Sequence, residues 1–222
     1  MSFILNIDTA LETAHVSIAK DGEVLQLVYN NHQKDHASWL HPAVSSLVHQ
    51  TGITLKRLDA VAVSIGPGSY TGLRVGLSAA KGFCYALDIP LITTGTLQLL
   101  AASVQEQAVG LICPLIDARR MEVYVAIYDK MLKEITPPYA CVINEYSFRE
   151  WLNVRPVLFC GNGSRKLRPL LHHSNAFFTD SVISPNCFAR LSLESYATKK
   201  FDNLTYSEPL YIKEFYSSAR KK

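Results

Sequence analysis

Between Gly66 and Gly76 the chain reads Gly-Pro-Gly-Ser-Tyr-Thr-Gly-Leu-Arg-Val-Gly, and this segment compresses a strand end, a tight turn and a helix start. The residues before it, Asp59-Ala-Val-Ala-Val-Ser-Ile65, form a short β-branched run bounded by turn formers, which predicts a buried strand. Behind the turn the spacing predicts a helix over 70–87 with Ser69 or Thr71 as its N-cap. The glycines permit positive φ and close backbone approach, and unpaired N–H groups at the helix start make a natural anion site. Two well-known motifs are excluded. No lysine stands where a Walker A turn needs one, and Ser69 lacks the Gly-x-Ser-x-Gly frame of a nucleophile elbow. For any single glycine, a tight strand-to-helix connection is the simpler reading.

With 222 residues, 48% of them hydrophobic, the chain can bury one good core or two small ones. No apolar run reaches the roughly 20 residues that span a bilayer. Met1 to Asp8 has neither a basic leader nor a small-residue cleavage site, so a cytoplasmic protein with no membrane partner is expected. The five cysteines are widely spaced and make no Cys-x-x-Cys pair, as buried free thiols in a reducing compartment would. The formal charge of +3 has one obvious basic excess, Ala219-Arg-Lys-Lys222. Charge alone therefore predicts no nucleic-acid surface.

Three strands open the chain, Phe3 to Asp8, Ala14 to Ala19 and Glu23 to Tyr29, the last two joined by the hairpin signal Lys20-Asp-Gly22. A helix follows over about 37–50, with Trp39, Leu40, Ala43, Val44, Leu47 and Val48 on its apolar side and Gly52 as its stop. Strand 59–65, helix 70–87, strand 90–94 and helix 95–105 come next. Near Val109 the pattern restarts: Leu111 to Asp117 and Glu122 to Tyr128 repeat an apolar strand ending in aspartate and a returning strand. Two related lobes follow from this repetition. Further on, Val157 to Gly161 reads as a strand entering the turn Gly161-Asn-Gly163, and Asn186 to Lys199 as a helix. The whole is α/β or α+β with a mostly covered sheet.

Ile4-Leu-Asn-Ile-Asp-Thr9, the Gly66–Gly76 segment, Asp117-Ala-Arg-Arg120 with Glu122-Val-Tyr124, and Gly161-Asn-Gly163 together resemble the TsaB family, known also as YeaZ. That family is the companion subunit in bacterial synthesis of threonylcarbamoyladenosine on tRNA. The resemblance implies an α/β fold of two lobes, actin-like or sugar-kinase-like (ribonuclease H-like), each a mixed sheet with helices, near 1–105 and 106–222. It implies a non-catalytic subunit that supports the transferase TsaD in modifying the tRNA adenosine next to the anticodon. It also implies assembly with the ATPase TsaE, contact with tRNA through the complex, and a homodimer when TsaD is absent. Metal and nucleotide are expected on the partner subunits, with no cofactor of its own. The catalytic relative carries a His-x-x-x-His metal pair on the helix after the strand matching Pro90 to Thr94, whereas here Thr96 and Leu100 hold those places.

His36 and His41 are five residues apart, too far around a helix to share a metal, and read as exposed or capping side chains; His172-His173 reads as a surface loop. Asp8 and Asp117 occupy the places of the metal-associated aspartates of kinases with this architecture. Neither is followed by the glycine that lets a hairpin close on phosphate; turn capping by Asp8 and pairing of Asp117 with Arg119 or Arg120 are the structural alternatives. Gly68, Ser69, Gly161 and Gly163 complete this candidate phosphate or nucleotide set. On helix 70–87, Leu73, Leu77, Ala80, Cys84 and Leu87 form one apolar seam, while Gly72, Val75, Gly76, Ala79, Phe83 and Ala86 form a second. Gly72, Val75, Gly76, Ala79 and Phe83 with Trp39 make the expected partner interface. Two rival readings remain, an independent small-molecule kinase or ATPase of the same fold and a metallopeptidase.

Overall fold

The computed structural model describes residues 1–32 and 35–213; the basic segment 219–222 lies outside them. Two sheets of five strands share one plan. The first runs β3 (Glu23–Asn30), β2 (Ala14–Lys20), β1 (Phe3–Asp8), β4 (Ala60–Gly66), β5 (Leu91–Gly95). The second runs β8 (Glu134–Val142), β7 (Glu122–Tyr128), β6 (Leu111–Asp117), β9 (Val157–Cys160), β10 (Ala176–Phe178). In each, three antiparallel strands are extended by two parallel ones. The expected duplication is thus complete strand for strand. Asp21 and Gly22, both at positive φ, make the β2–β3 turn, as a two-residue hairpin requires.

Both faces of the first sheet are covered, which is why its strands read as near-continuous apolar runs. On one face, Leu5, Ile7, Val16, Ile18, Val61 and Val63 pack with α1 (His36–Thr51) and α2 (Tyr70–Leu87). On the other, Ile4, Ala60, Ala62 and Ile92 join α3 (Thr96–Ser103) and α6 (Pro185–Ala197), with Ile112, Ile116 and Ala126 of the second sheet completing a core between the lobes. A third core under the second sheet gathers Val123, Val125, Phe159 and Leu152, the last from α4 (Arg149–Leu152). Leu167 of α5 (Ser164–Leu167) joins it. Burial pushes the Cys84 thiol up to about 11 and that of Cys160 up to about 12, and all five cysteines are free.

The expected second lobe of 106–222 loses its last described segment to the first. Phe188 and Leu191 of α6 pack with first-sheet residues, the helix lying chiefly over β1 and β3 while α3 covers β4. Beyond α6 the chain straps along the same sheet. Asp202 bridges Leu91 and accepts from the Thr93 N–H at 2.7 Å, and the Leu210 N–H donates to the Ile65 carbonyl at 2.7 Å. Arg74 lies over the Tyr70 ring at 4.1 Å and donates to the Tyr211 hydroxyl at 2.9 Å. Lys213 then reaches Glu122 of β7.

At the Gly66–Gly76 turn, Ser69 is the N-cap, accepting from the Gly72 N–H at 3.3 Å. The Ser69 N–H donates to the Ala10 carbonyl and the Thr9 hydroxyl to the Gly72 carbonyl, each at 2.7 Å. A methyl group on Gly72 would overlap the Thr9 carbonyl oxygen, whereas one on Gly82 would meet nothing within 4 Å. Gly72→Ala is expected to cost about 3 kcal/mol by overpacking. Gly82→Ala should gain about 0.5–1 kcal/mol from helix propensity. Urea midpoints of the two variants against the parent chain check this pair.

Candidate functional site

Register brings the first cluster together. Asp8 of β1 pairs with His15 of β2, which pairs with Tyr29 of β3, so the three stand side by side across the sheet. The Asp8 carboxylate is almost fully buried and internally engaged: it accepts from the Ser64 hydroxyl at 2.6 Å and the Ala10 N–H at 3.1 Å, and its Oδ2 lies 3.6 Å from His15 Nδ1. The turn-capping role expected of Asp8 is present in the Ala10 bond. His15 is 1% exposed. Burial holds its imidazole below the ordinary range, against the opposing pull of Asp8, and Nε2 has no hydrogen-bond partner.

These residues border a cavity of about 110 Å³ between the lobes, lined also by Leu11, Glu12, Gly161, Arg165, Asp180 and Ile183 among others. Of the expected phosphate set, Asp8 and Gly161 line it, while Gly68, Ser69, Asp117 and Gly163 do not. A Cβ on Gly68 would overlap the Ala10 carbonyl, and one on Gly163 would crowd the Leu115 and Ile116 carbonyl carbons at 2.9–3.0 Å. Both glycines serve packing within the chain. Asp117 is paired with Lys166 at 2.5 Å, correcting the expected Arg119 or Arg120 partner. Arg119 contributes its backbone N–H to the same carboxylate oxygen at 2.6 Å, and Arg120 its carbonyl to Lys166. Three carboxylates, Asp8, Glu12 and Asp180, line the cavity together with Arg165.

The second cluster lies on the opposite face of the sheet. Val75, Ser78, Ala79, Gly82, Phe83 and Ala86 of α2 and His41 of α1 line an open groove of about 440 Å³. The His41 ring stands 5.6 Å from that of Phe83, and Trp39 packs half-buried against the same core. Val75 and Phe83, half-buried, and Ala79, buried, thus line this groove. Gly72 and Gly76 do not: both are buried, and a Cβ on Gly76 would overlap the Thr9 hydroxyl. The second seam divides because its first two glycines let α2 sit close on β1. Gly82, which spacing left unassigned, lies in the groove instead.

His36 is buried, with Nδ1 3.2 Å from Asn30 Nδ2 and Nε2 3.1 Å from the Leu11 carbonyl, and Asp35 holds the N-cap position, so it is neither the exposed nor the capping side chain expected. His172 is exposed and His173 half-buried. Thr96 and Leu100 are fully buried in the interlobe core. No group of three or more His, Cys, Asp or Glu suited to a metal ion occurs among the described residues. No helix among them is long and apolar enough to cross a membrane. Sequence reading passed over His15, whose signal was a polar residue on the inward side of a strand covered on both faces.

A duplicated five-stranded sheet with helices between the halves defines an α/β protein of the two-lobed, actin-like and sugar-kinase-like class. The fold is shared with YeaZ from Pseudomonas aeruginosa, at a TM-score of 0.82 and 24% identity over 95% of this chain and 100% of that one. The family model of TsaD, tRNA N6-adenosine threonylcarbamoyltransferase, matches residues 24–179. The tRNA threonylcarbamoyladenosine biosynthesis protein TsaB of Bacillus subtilis (strain 168) is 34% identical over 167 residues, 72% of this chain and 70% of the relative. Its namesake from Escherichia coli (strain K12) is 33% identical over 132 residues, 57% of this chain and 55% of that protein. The chain belongs to the family that the TsaD model describes and, within it, to the TsaB proteins.

His15 gives the fold a pH dependence of known sign. The unfolded ring protonates near its ordinary value of 6.5, while the folded ring resists protonation. The unfolded chain thus binds more protons as pH falls. The stability associated with neutral His15 is full above that value and declines below it, by at most about 1.4 kcal/mol per pH unit. Urea midpoints compared at about pH 7.5 and about pH 5.5 should show the decline in the parent chain and a smaller one in His15→Phe.

Proposed function

We propose that this chain is a non-catalytic, cytoplasmic subunit that holds a TsaD homologue in working form for threonylcarbamoyl modification of the tRNA adenosine next to the anticodon. TsaE and tRNA join through that complex, and two copies of this chain pair when the transferase is absent. The observation that carries the reading is the open α1–α2 groove, floored by Ala79 and Gly82 and flanked by Phe83 and Val75. Small residues let a partner helix approach closely, and the aromatic edge supplies an anchor. Metal and nucleotide are assigned to the partner subunits. Thr96 and Leu100 offer no metal-binding pair, and the Asp8 carboxylate is already engaged by Ser64 and Ala10.

Light scattering after size exclusion, on this chain alone and mixed with the TsaD homologue of the same organism, tests the assembly; a threonylcarbamoylation assay on each sample tests the role. A stable heteromer, with modification only when both chains and the remaining components are present, supports the proposal. Steady ATP turnover by this chain alone, lost in Asp8→Ala, would overturn it in favour of an independent ATPase.

The groove yields a sharper expectation. Ala86→Glu and Gly82→Glu each place a charge in it at an exposed position. Affinity for the TsaD homologue should fall by about tenfold or more, while thermal stability stays within about 1 kcal/mol of the parent. Titration calorimetry and a melting curve on each variant measure the two quantities.

A further inference from the structure

We propose that the β6–β7 hairpin is an RNA-contact element of this chain, with Arg119 and Arg120 at its tip binding phosphates of the tRNA backbone. This deepens the subunit role proposed above and rests on it for the identity of the RNA. Three observations support it. The first is uncompensated charge. Arg119 and Arg120 are exposed, and neither guanidinium makes a hydrogen bond, ion pair or ring contact among the described residues. The carboxylates beside them are already engaged: Asp117 by Lys166 at 2.5 Å and by the Arg119 N–H at 2.6 Å, Glu122 by Lys213 at 2.5 Å. In sequence, 117–122 is balanced, two acids against two arginines. The fold brings Lys166 and Lys213 to the two acids and leaves both arginines without a counter-charge.

The second is backbone conformation. The Ala118 N–H donates to the Glu122 carbonyl at 3.1 Å, closing a short loop in which Arg119 and Arg120 have φ of 70° and 49°. Two consecutive left-handed residues ordinarily select glycine, asparagine or aspartate. Arginine at both gives up backbone ease and gains nothing within the chain, as expected where the side chains serve a ligand. The third is rigidity. Lys166 donates to the Arg120 carbonyl at 2.6 Å, the Asp117 N–H to Asn162 Oδ1 at 2.9 Å and the Ile143 N–H to the Met121 carbonyl at 2.8 Å. A loop held from three segments loses little further freedom on binding. The guanidinium fork matches a phosphate in geometry. A polynucleotide offers a phosphate at every step, so adjacent arginines meet adjacent anions without a matched set of carboxylates.

The test is fluorescence anisotropy of a labelled, unmodified tRNA transcript titrated with the full chain alone between about 50 and 200 mM salt. The parent chain should bind, more weakly as salt rises. Arg119→Gln and Arg120→Gln should each weaken binding at least about threefold and make the salt slope shallower by about 0.7–0.9. Arg119→Gly and Arg120→Gly should weaken it to the same extent while raising the urea midpoint, because glycine relieves the positive φ. Arginines kept for structure alone would not give that combination of higher stability and lost affinity. No salt-dependent binding by the parent, undiminished affinity when both arginines are replaced, or displacement of the tRNA by poly-L-glutamate as effectively as by unlabelled tRNA overturns the proposal, the last in favour of an acidic protein partner. Since the titration uses this chain alone, its failure is distinct from failure to form the heteromer with the TsaD homologue, which light scattering reads.

Discussion

The close seating of α2 on the end of β1 positions both surfaces of the first lobe. Thr9 donates to the Gly72 carbonyl and Ala10 accepts from the Ser69 N–H, so the turn after β1 and the start of α2 are bonded at two points. Glycine at 72 and 76 is what lets the backbones come so near. On one side, this contact sets the height at which α2 stands above the sheet and hence the depth of the α1–α2 groove. On the other, it anchors the loop that carries Leu11 and Glu12 to the cavity mouth. His36 adds a tie from α1 to that loop through the Leu11 carbonyl.

Strand periodicity and turn residues made most of the fold legible: β1 to β7, α1, α2 and the restart after Val109 lie within a few residues of where spacing places them. β8 was not, because Pro137 and Pro138 interrupt it. It is an edge strand, where a missing N–H costs little. β10, with three residues, is too short to show a period. The return of α6 to the first sheet depends on contacts between residues far apart in the chain, which no local pattern records. A helical wheel likewise cannot tell a small residue that fits against its own sheet from one kept small for another molecule. Gly72 and Gly76 are the former, and Gly82 has the open space of the latter.

The two halves of the duplication have treated their matching aspartates differently. Asp8 is sealed beneath the interlobe surface with a hydroxyl, an amide and an imidazole around it. Asp117 remains at the surface, tied to Lys166 and to Arg119 N–H. Sealing Asp8 demanded polar neighbours on a face otherwise lined by alanine and isoleucine. Asn6, Ser17 and Ser64 are buried on that face with His15. Asn6 and Ser17 retain unpartnered atoms of their own. Counted back from the matching aspartates and across the strand pairs, the second half has Leu115, Val123 and Val125 where the first has Asn6, His15 and Ser17.

The strap after α6 gives the first lobe an order of assembly. Its sheet is made from residues before 96, yet the helix that covers the interlobe face and the segment that pairs with β5 and Ile65 arrive only after 184. During synthesis the interlobe face of the amino-terminal sheet therefore has only α3 over it, without α6, while the second sheet is made. The last described residues then close the first lobe and, through Lys213 and Glu122, fasten it to the second. Completion of the amino-terminal core thus follows synthesis of the second sheet.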